Sequence, residues 1–476
     1  MQWIDGVIFI LYMISMLSVG WYFMRRNKGV EDYYVGGRTM SSLHVGLSVT
    51  ATDVGGGFSI GLGGLGFVMG LSGSWMLFTG LIGAWLSAVL LIPKLKRNKA
   101  FERAFTFPDL FKVHFGPNVA LAAGIISAVG YAGFTASQIL AGAKLASATF
   151  DGLSPTTALL IMGGITVGYT AMGGMKAVIY TDTIQWMVLT GGLLFVALPS
   201  AYFAVGGWSA IRASVPPEML SLGNLTWVRA VNWAVTIVPI WFVGMTLYQR
   251  IYACRDEASA KRAWFFAGLL EWPLMAFTGV LLGLFARAAA ERGLLLGGAD
   301  ATTIDPETGL PLLLRTVLPA GLMGITMSAY FSAILSTADS CLMAASGNLV
   351  TDIIGRFTGR WSDGRAFLRL SQGATLAIGV GALLLASSMT EVLGLMLYSY
   401  AFMVSGLFVP VMGALFIRRK SSTAALSAMI SGGTTTVALT LLFDRLPLGL
   451  DANCYGILLS ALVYAAVLLR DSKCTA

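Results

Sequence analysis

Three short stretches of this chain hold polar groups in strongly apolar surroundings. The first is Ser48-Val-Thr-Ala-Thr-Asp53-Val-Gly55-Gly56-Gly57, followed by Gly61, Gly63, Gly64, Gly66 and Gly70. Glycine costs about 1 kcal/mol per position inside a helix, so three in a row beside an acidic residue predict an unwound segment. Unwinding frees carbonyls, which at membrane depth must be met by protein, water, a cation or a solute. An ionised Asp53 there costs at least about 2.5–3.5 kcal/mol unless it has a partner. The same residues also fit close helix packing through glycine, with Asp53 bonded to a neighbouring helix.

The second stretch is Ser332-Ala333-Ile-Leu-Ser336-Thr337-Ala-Asp339-Ser340. Ala333, Ser336 and Thr337 share one helical face, and Ser336, Asp339 and Ser340 repeat that spacing one step round. Hydroxyl, carbonyl and carboxylate oxygens are hard ligands for a small hard cation. Sodium fits better than calcium, whose sites usually gather more carboxylates. Back-bonding to the preceding turn accounts for the hydroxyls but not for Asp339. The third stretch is Gly173-Gly-Met-Lys176-Ala-Val-Ile-Tyr-Thr181-Asp182-Thr183-Ile-Gln185. Asp182 there serves a site or, equally, sits near a helix N-terminus beside Lys176, where the dipole favours it.

Gln138, Trp241, Tyr398 and Tyr400 either line a solute pocket or pack as ordinary bulk. Glu271-Trp-Pro273 puts a carboxylate beside a kink, where it acts in a site or bonds freed backbone. Lys144 reads as snorkelling outward, and the stretch from Phe107 to His114 reads as a cytoplasmic surface helix.

The elements that must position these groups follow from composition. Of 476 residues, 56% are apolar and 11% charged, against about 25% charged in soluble proteins. Such a chain is solvated by lipid, and disorder is excluded because it needs high charge and low hydrophobicity. Thirteen apolar segments run roughly 3–24, 44–70, 72–93, 118–148, 155–172, 177–204, 231–252, 263–286, 315–352, 367–388, 391–417, 422–443 and 453–469. Helices are the reading, since an open sheet would leave backbone unpaired in lipid. The first segment is too long for a cleaved signal core.

There are 31 Lys and Arg against 23 Asp and Glu, a net charge of +8. The basic residues crowd into alternate short loops, so they orient the chain rather than bind nucleic acid. They place the N-terminus outside and the C-terminus in the cytoplasm. Four cysteines without a CxxC pair, and only two histidines, offer no metal motif, and no catalytic cluster faces water. An enzyme is not expected.

Segment lengths echo between the two halves. Five segments in 44–204 and five in 231–417 each include a long loop and a long helix. Five is odd, so the second set lies inverted relative to the first, a transporter architecture with a central site. The expected organisation is 1–43 as an outer helix and cytoplasmic loop, 44–204 as the first repeat and 205–230 as an extracellular loop. The second repeat is 231–417, and 418–476 holds two further helices and a short tail.

The stretches Asp32-Tyr-Tyr-Val-Gly36-Gly37-Arg38, GG-x-x-AV-x-x-TD-x-x-Q at 173–185 and A-x-x-ST-x-DS at 333–340, with Gln249-Arg250 and Tyr398-Ser-Tyr400, together resemble the sodium:solute symporter family. The resemblance spans essentially the whole chain. It implies an all-α integral membrane protein with a five-plus-five inverted repeat of the LeuT type, one helix before it and two after. It implies a sodium site made by backbone oxygens of Ala51, Val54 and Ala333 with the hydroxyls of Ser336 and Thr337. In some members a second sodium site maps onto Asp182, Ser336, Asp339 and Ser340. Asp53 matches an acidic position of the proline carriers and stands where choline carriers have tryptophan, so choline is not favoured.

The expectation is therefore a sodium-coupled symporter in the cell membrane. It would import a small polar solute (proline, or another amino acid, carboxylate, sugar or betaine) by alternating access. The solute would meet Asp53, Gly55, Gly56, Gly57, Gln138, Trp241, Tyr398 and Tyr400. Its partners are sodium ions, the solute and the bilayer, and no oligomer is required. A membrane solute sensor without net transport and a proton-coupled carrier are the alternatives.

Overall fold

The structure is a computed structural model that describes residues 3–24, 34–150, 152–173, 175–295, 301–358 and 364–473. Asp32, Tyr33 and Gly174 of the stretches above lie outside the described residues. The regular elements among the described residues are helices, as an apolar chain without water to solvate its backbone requires.

Helix α1 (Trp3–Met24) precedes a broken helix, α2 (Ser42–Asp53) and α3 (Gly56–Met69), which turns directly into α4 (Trp75–Leu90). Then come the short α5 (Pro108–Phe115), the long α6 (Pro117–Thr149), α7 (Pro155–Gly173) and α8 (Met175–Thr190). A second broken helix, α9 (Trp227–Val243) and α10 (Met245–Ala253), bends by 42°. It is followed by α11 (Glu257–Leu269), α12 (Ala276–Glu291) and α13 (Pro306–Val317). The chain ends with α14 (Leu322–Gly347), α15 (Gly364–Ser387), α16 (Val392–Phe416), α17 (Ser422–Leu442) and α18 (Ala452–Lys473).

Among the described residues, eight helices are long and apolar enough to cross a membrane, or nine if α9 and α10 form one span. The difference from thirteen segments has physical causes. The expected segments 44–70 and 72–93 are joined, as their one-residue spacing implies, by the tight turn Gly70–Ser74, so α3 and α4 count together as one apolar run, Ile60–Lys96. The helix α14 carries so many hydroxyls and Asp339 that its hydropathy is low for a spanning helix. It tolerates them because nearly all of it is buried in protein.

α14 is the hub of the fold and touches α1, α2, α3, α6, α7, α8, α10 and α15. Both halves of the first broken helix and the α10 half of the second touch it. α2 and α4 pack on α11, α4 on α9, and α3 on α12. Glycine makes the last contact possible: a Cβ on Gly283 would lie 2.0 Å from the Gly63 carbonyl oxygen, and one on Gly66 2.2 Å from that of Val280. Asp5 ties α1 to the start of α14 by accepting from the N–H groups of Gly321 (2.7 Å) and Gly324 (2.9 Å).

One expectation is refined and one corrected. The stretch from Phe107 to His114 is the helix α5, which buries Phe107, Leu110 and Phe111 and packs on α6 while leaving Lys112 and Val113 exposed. Lys144 does not snorkel alone: its ammonium donates to Asp305 (2.5 Å) and Glu307 (2.8 Å). Glu307 also accepts from the N–H groups of Val392 and Leu393, so α13 is latched to α6 and to the start of α16.

Candidate functional site

The site forms where one helix stops and restarts. After α2 ends, Val54 leaves the helix (φ −76°, ψ 3°) and Gly55 extends the chain (φ −36°, ψ −171°) before α3 begins. The last carbonyls of a helix have no amide from a following turn. The Thr337 hydroxyl on α14 supplies the donor, reaching the carbonyl oxygens of Thr52 (2.9 Å) and Ala51 (3.3 Å). The sequence expectation that the glycine-rich break and the hydroxyl-bearing helix meet is thus met in space.

Glycine is required at the break for approach. A Cβ on Gly55 would lie 1.8 Å from Thr337 Oγ1, and one on Gly56 2.5 Å from Ile334 Cγ1. Gly57 lies in the first turn of α3, and its surroundings are outside the description. Gly55→Ala is therefore expected to destabilise by about 1–3 kcal/mol through overpacking. Gly164→Ala, where a Cβ meets nothing within 4 Å, is expected to be near neutral. Thermal unfolding of the purified variants checks both.

Behind the break lies a buried charged network that the sequence reading missed. Asp182 on α8 and Arg250 on α10 are both fully buried and pair at 3.0 Å. The guanidinium also donates from Nε to Ser48 Oγ (2.9 Å), and from Nη2 to Thr52 Oγ1 (2.5 Å) and Ser340 Oγ (2.8 Å). Its Nη1 reaches the Thr246 carbonyl (3.2 Å). Asp182 accepts from the hydroxyls of Ser48 and Ser336, the latter at 2.6 Å. A buried ion pair persists only when its remaining donors and acceptors are met, and here α2, α10 and α14 supply them. Asp182 is thus held by Arg250, and a role as a helix-terminus charge is not needed.

This arrangement sorts the expected cation ligands. Ala51 and Thr337 come together at the break. Ser336, on the same helix face, turns its hydroxyl to Asp182. Val54 and Ala333 are buried beside them. Of the second set, Asp182, Ser336 and Ser340 belong to one network. Asp339 does not: it accepts from Thr170 on α7 at 2.6 Å. One residue is about 100° of helix, so Asp339 and Ser340 face different neighbours.

Of the expected solute contacts, Gln138 is fully buried, donates to Ser137 (3.1 Å), and has an unpartnered Oε1 that would lie 3.1 Å from a Cβ on Gly56. Trp241 is fully buried, edge-on to Trp264 and close against Gly83. Tyr400 is buried, with its ring 4.9 Å from Phe134. Tyr398 is corrected: it is 56% exposed and lines a cavity of about 670 Å³ with Asp444 and Arg445. Residues two apart on a helix point nearly oppositely, so Tyr398 and Tyr400 cannot share the site. Asp53 is buried with its Oδ2 unpartnered, and Glu271, in the kinked segment Leu270–Met275, is fully buried with both carboxyl oxygens unpartnered.

The family model described as "Sodium:solute symporter family" matches residues 33–432. The chain is 28% identical over 431 residues to the high-affinity proline transporter PutP of Bacillus subtilis, covering 89% of each. It is 26% identical over 440 residues to the sodium/proline symporter of Salmonella typhimurium, covering 90% of this chain and 86% of that one. Among solved structures, a substrate-bound, outward-open Na+-coupled sialic acid symporter matches with a TM-score of 0.82 at 20% identity, covering 98% of each chain. A nucleobase-cation-symport-1 family transporter in a closed conformation matches with a TM-score of 0.60 at 14% identity, over 92% of this chain and 94% of that one.

Proposed function

The chain belongs to the sodium:solute symporter family, and on that premise we propose that it imports a small zwitterionic solute, proline first among the candidates, driven by sodium. Its curated relatives are transporters rather than enzymes, and several carry proline in their names. The observation that carries the reading is the Thr337 hydroxyl resting on the Ala51 and Thr52 carbonyls at the break.

Sodium sits between the break and α14, held by carbonyl oxygens of Ala51, Val54 and Ala333 and the hydroxyls of Ser336 and Thr337. Binding draws Ser336 from Asp182 and replaces the bond that Thr337 makes to backbone. A second ion, where one is carried, uses Asp182, Ser336 and Ser340, with the unpartnered Oδ2 of Asp339 as a further ligand. The solute lies across the break. Its carboxylate meets the free N–H groups that begin α3, and its ammonium group meets Asp53 and the carbonyls that end α2, each suited by the helix dipole. Gln138, Trp241 and Tyr400 line the pocket with Gly55, Gly56 and Gly57.

The organisation is one helix, two inverted sets of five spans (44–204 and 231–417) and two final helices. The N-terminus faces outward and the C-terminus the cytoplasm. Asp5 capping the start of α14 sets the first residues of α1 and α14 at one end, which fits an even number of crossings between them. The elements α2, α3, α4, α9, α10, α11 and α12, joined by the packing of α3 on α12, of α4 on α9 and of α2 and α4 on α11, rock against the rest to alternate access. One charge moved through about 100 mV gains about 2.3 kcal/mol, enough for roughly fiftyfold accumulation.

The test is uptake of labelled L-proline into proteoliposomes under an inward sodium gradient, with lactate, glucose and glycine betaine in parallel. Accumulation of proline with sodium but not with potassium supports the reading. Equal uptake in both cations removes sodium coupling, and sodium-driven uptake of another solute alone removes proline.

A further inference from the structure

A cavity of about 670 Å³ shares no residue with the break. It lies between α9, α16, α17 and α18, beneath the loop that joins the last two. A smaller cavity of about 330 Å³ shares Thr236, Leu397, Gly449 and Asp451 with it, so the two form one cleft. α9, α16 and α18 begin at this end and α17 ends there, which on the orientation proposed above is the outward end. The loop is fastened from α9. Asn232 donates to the Gly449 carbonyl (3.2 Å) and to Asp451 Oδ1 (3.0 Å), and its own Oδ1 accepts from the Asp451 N–H (3.1 Å).

Two kinds of surface line the cleft. The wall is apolar, made by Leu397, Ala401, Leu439 and Phe443 with the Tyr398 ring. It continues past Phe443 to Leu441 and Leu442, which are 79% and 73% exposed at the end of α17 and therefore face lipid. The rim is charged, with Asp444, Arg445 and Asp451. Among the described residues neither Asp444 nor Arg445 has an ion-pair partner. Asn453 also lines the cleft and is fully buried. Its amide nitrogen donates to Thr236 Oγ1 (2.8 Å), which leaves Oδ1 as an acceptor with no donor. A buried acceptor left unmet is costly, so this one marks the place of a donating ligand.

We propose that the cleft seats the headgroup of a phospholipid carrying a primary ammonium, the chemistry of phosphatidylethanolamine. The phosphate pairs with the Arg445 guanidinium, whose planar fork suits it. The ammonium has three N–H donors, and Asp444, Asp451 and Asn453 Oδ1 are the acceptors offered. The acyl chains run along Leu397, Leu439 and the exposed end of α17, and Tyr398 stands at headgroup level, where tyrosine is favoured. A choline headgroup has no N–H for Asn453. A purely anionic headgroup sets its charge beside two carboxylates. A free amino acid suits the rim and leaves the apolar wall uncovered. The seated lipid ties α17 and α18 to α9 and α16. It requires neither the sodium site nor the choice of solute, and its test uses neither.

The purified full chain, held in nanodiscs of equal phosphatidylcholine and phosphatidylethanolamine, is released for native mass spectrometry. Wild type is expected to retain a single phosphatidylethanolamine in preference to the choline lipid. Asp444→Asn combined with Arg445→Gln is expected to retain at least about tenfold less, because charge-assisted contacts are lost. Both side chains are exposed, so the fold should stand. Asn453→Ala is expected to lose the preference for ethanolamine over choline. Equal retention of the two lipids by wild type, or unchanged retention in the double variant, overturns the proposal.

Thermal unfolding separates a lipid from a soluble ligand. Wild type is expected to unfold at a higher temperature with phosphatidylethanolamine than with phosphatidylcholine alone, and the double variant at the same temperature in both. Glycerophosphoethanolamine, the same headgroup without chains, is expected to give no rise. A rise with it equal to that with the lipid overturns the lipid assignment, and a lipid effect undiminished in the double variant overturns the site.

Discussion

Arg250→Met is expected to cost about 3–5 kcal/mol of stability, the price of leaving a buried carboxylate unpaired. Asp182 would keep only the hydroxyls of Ser48 and Ser336, and its pairing with the guanidinium is what permits a charge there at all. Four helices meet at this point, so the loss spreads beyond one contact. Combining Arg250→Met with Asp182→Asn removes both charges together and is expected to restore most of the loss, since replacing a whole buried pair is often neutral. Thermal unfolding in lipid nanodiscs reads the effect. A single variant that unfolds with wild type, or a double variant worse than both singles, contradicts the account of the network.

Asp53→Asn is expected to cut sodium-driven uptake by on the order of tenfold to a hundredfold, the value of a lost charge-assisted hydrogen bond in a water-poor site. The fold should survive, because Asn matches Asp in size and carries no charge to bury. What is lost is the negative charge at the break. Initial uptake rates, normalised to reconstituted protein, read the result alongside unfolding temperatures. Full activity in Asp53→Asn would remove the carboxylate from the solute site.

Much of this was legible in residue types. Three consecutive glycines beside Asp53 are hard to accommodate in a continuous helix, and the break occurs there. Ser336 and Thr337 at helical spacing from Ala333 announced one face, and Thr337 does meet the break. The partners across the bilayer were not legible. Nothing in a single chain ties Arg250 to Asp182, 68 residues away, because such pairings are set by which helices the fold packs together. Face assignment within a helix was also fragile. A step of one residue sent Asp339 to Thr170 rather than to Asp182's network, and a step of two sent Tyr398 outward. α14 also carries its polar groups inward, so its apolarity understates its depth in the protein.

The central claim is that an alkali ion is held between the carbonyls that end α2 and the hydroxyl face of α14. The most direct measurement is the sodium concentration that half-saturates solute uptake in Thr337→Ala against wild type, in the same proteoliposomes. The account predicts a rise on the order of tenfold, with the maximal rate recovered at high sodium, because one oxygen ligand is removed while the break itself remains. An unchanged sodium requirement in a folded Thr337→Ala protein would contradict it.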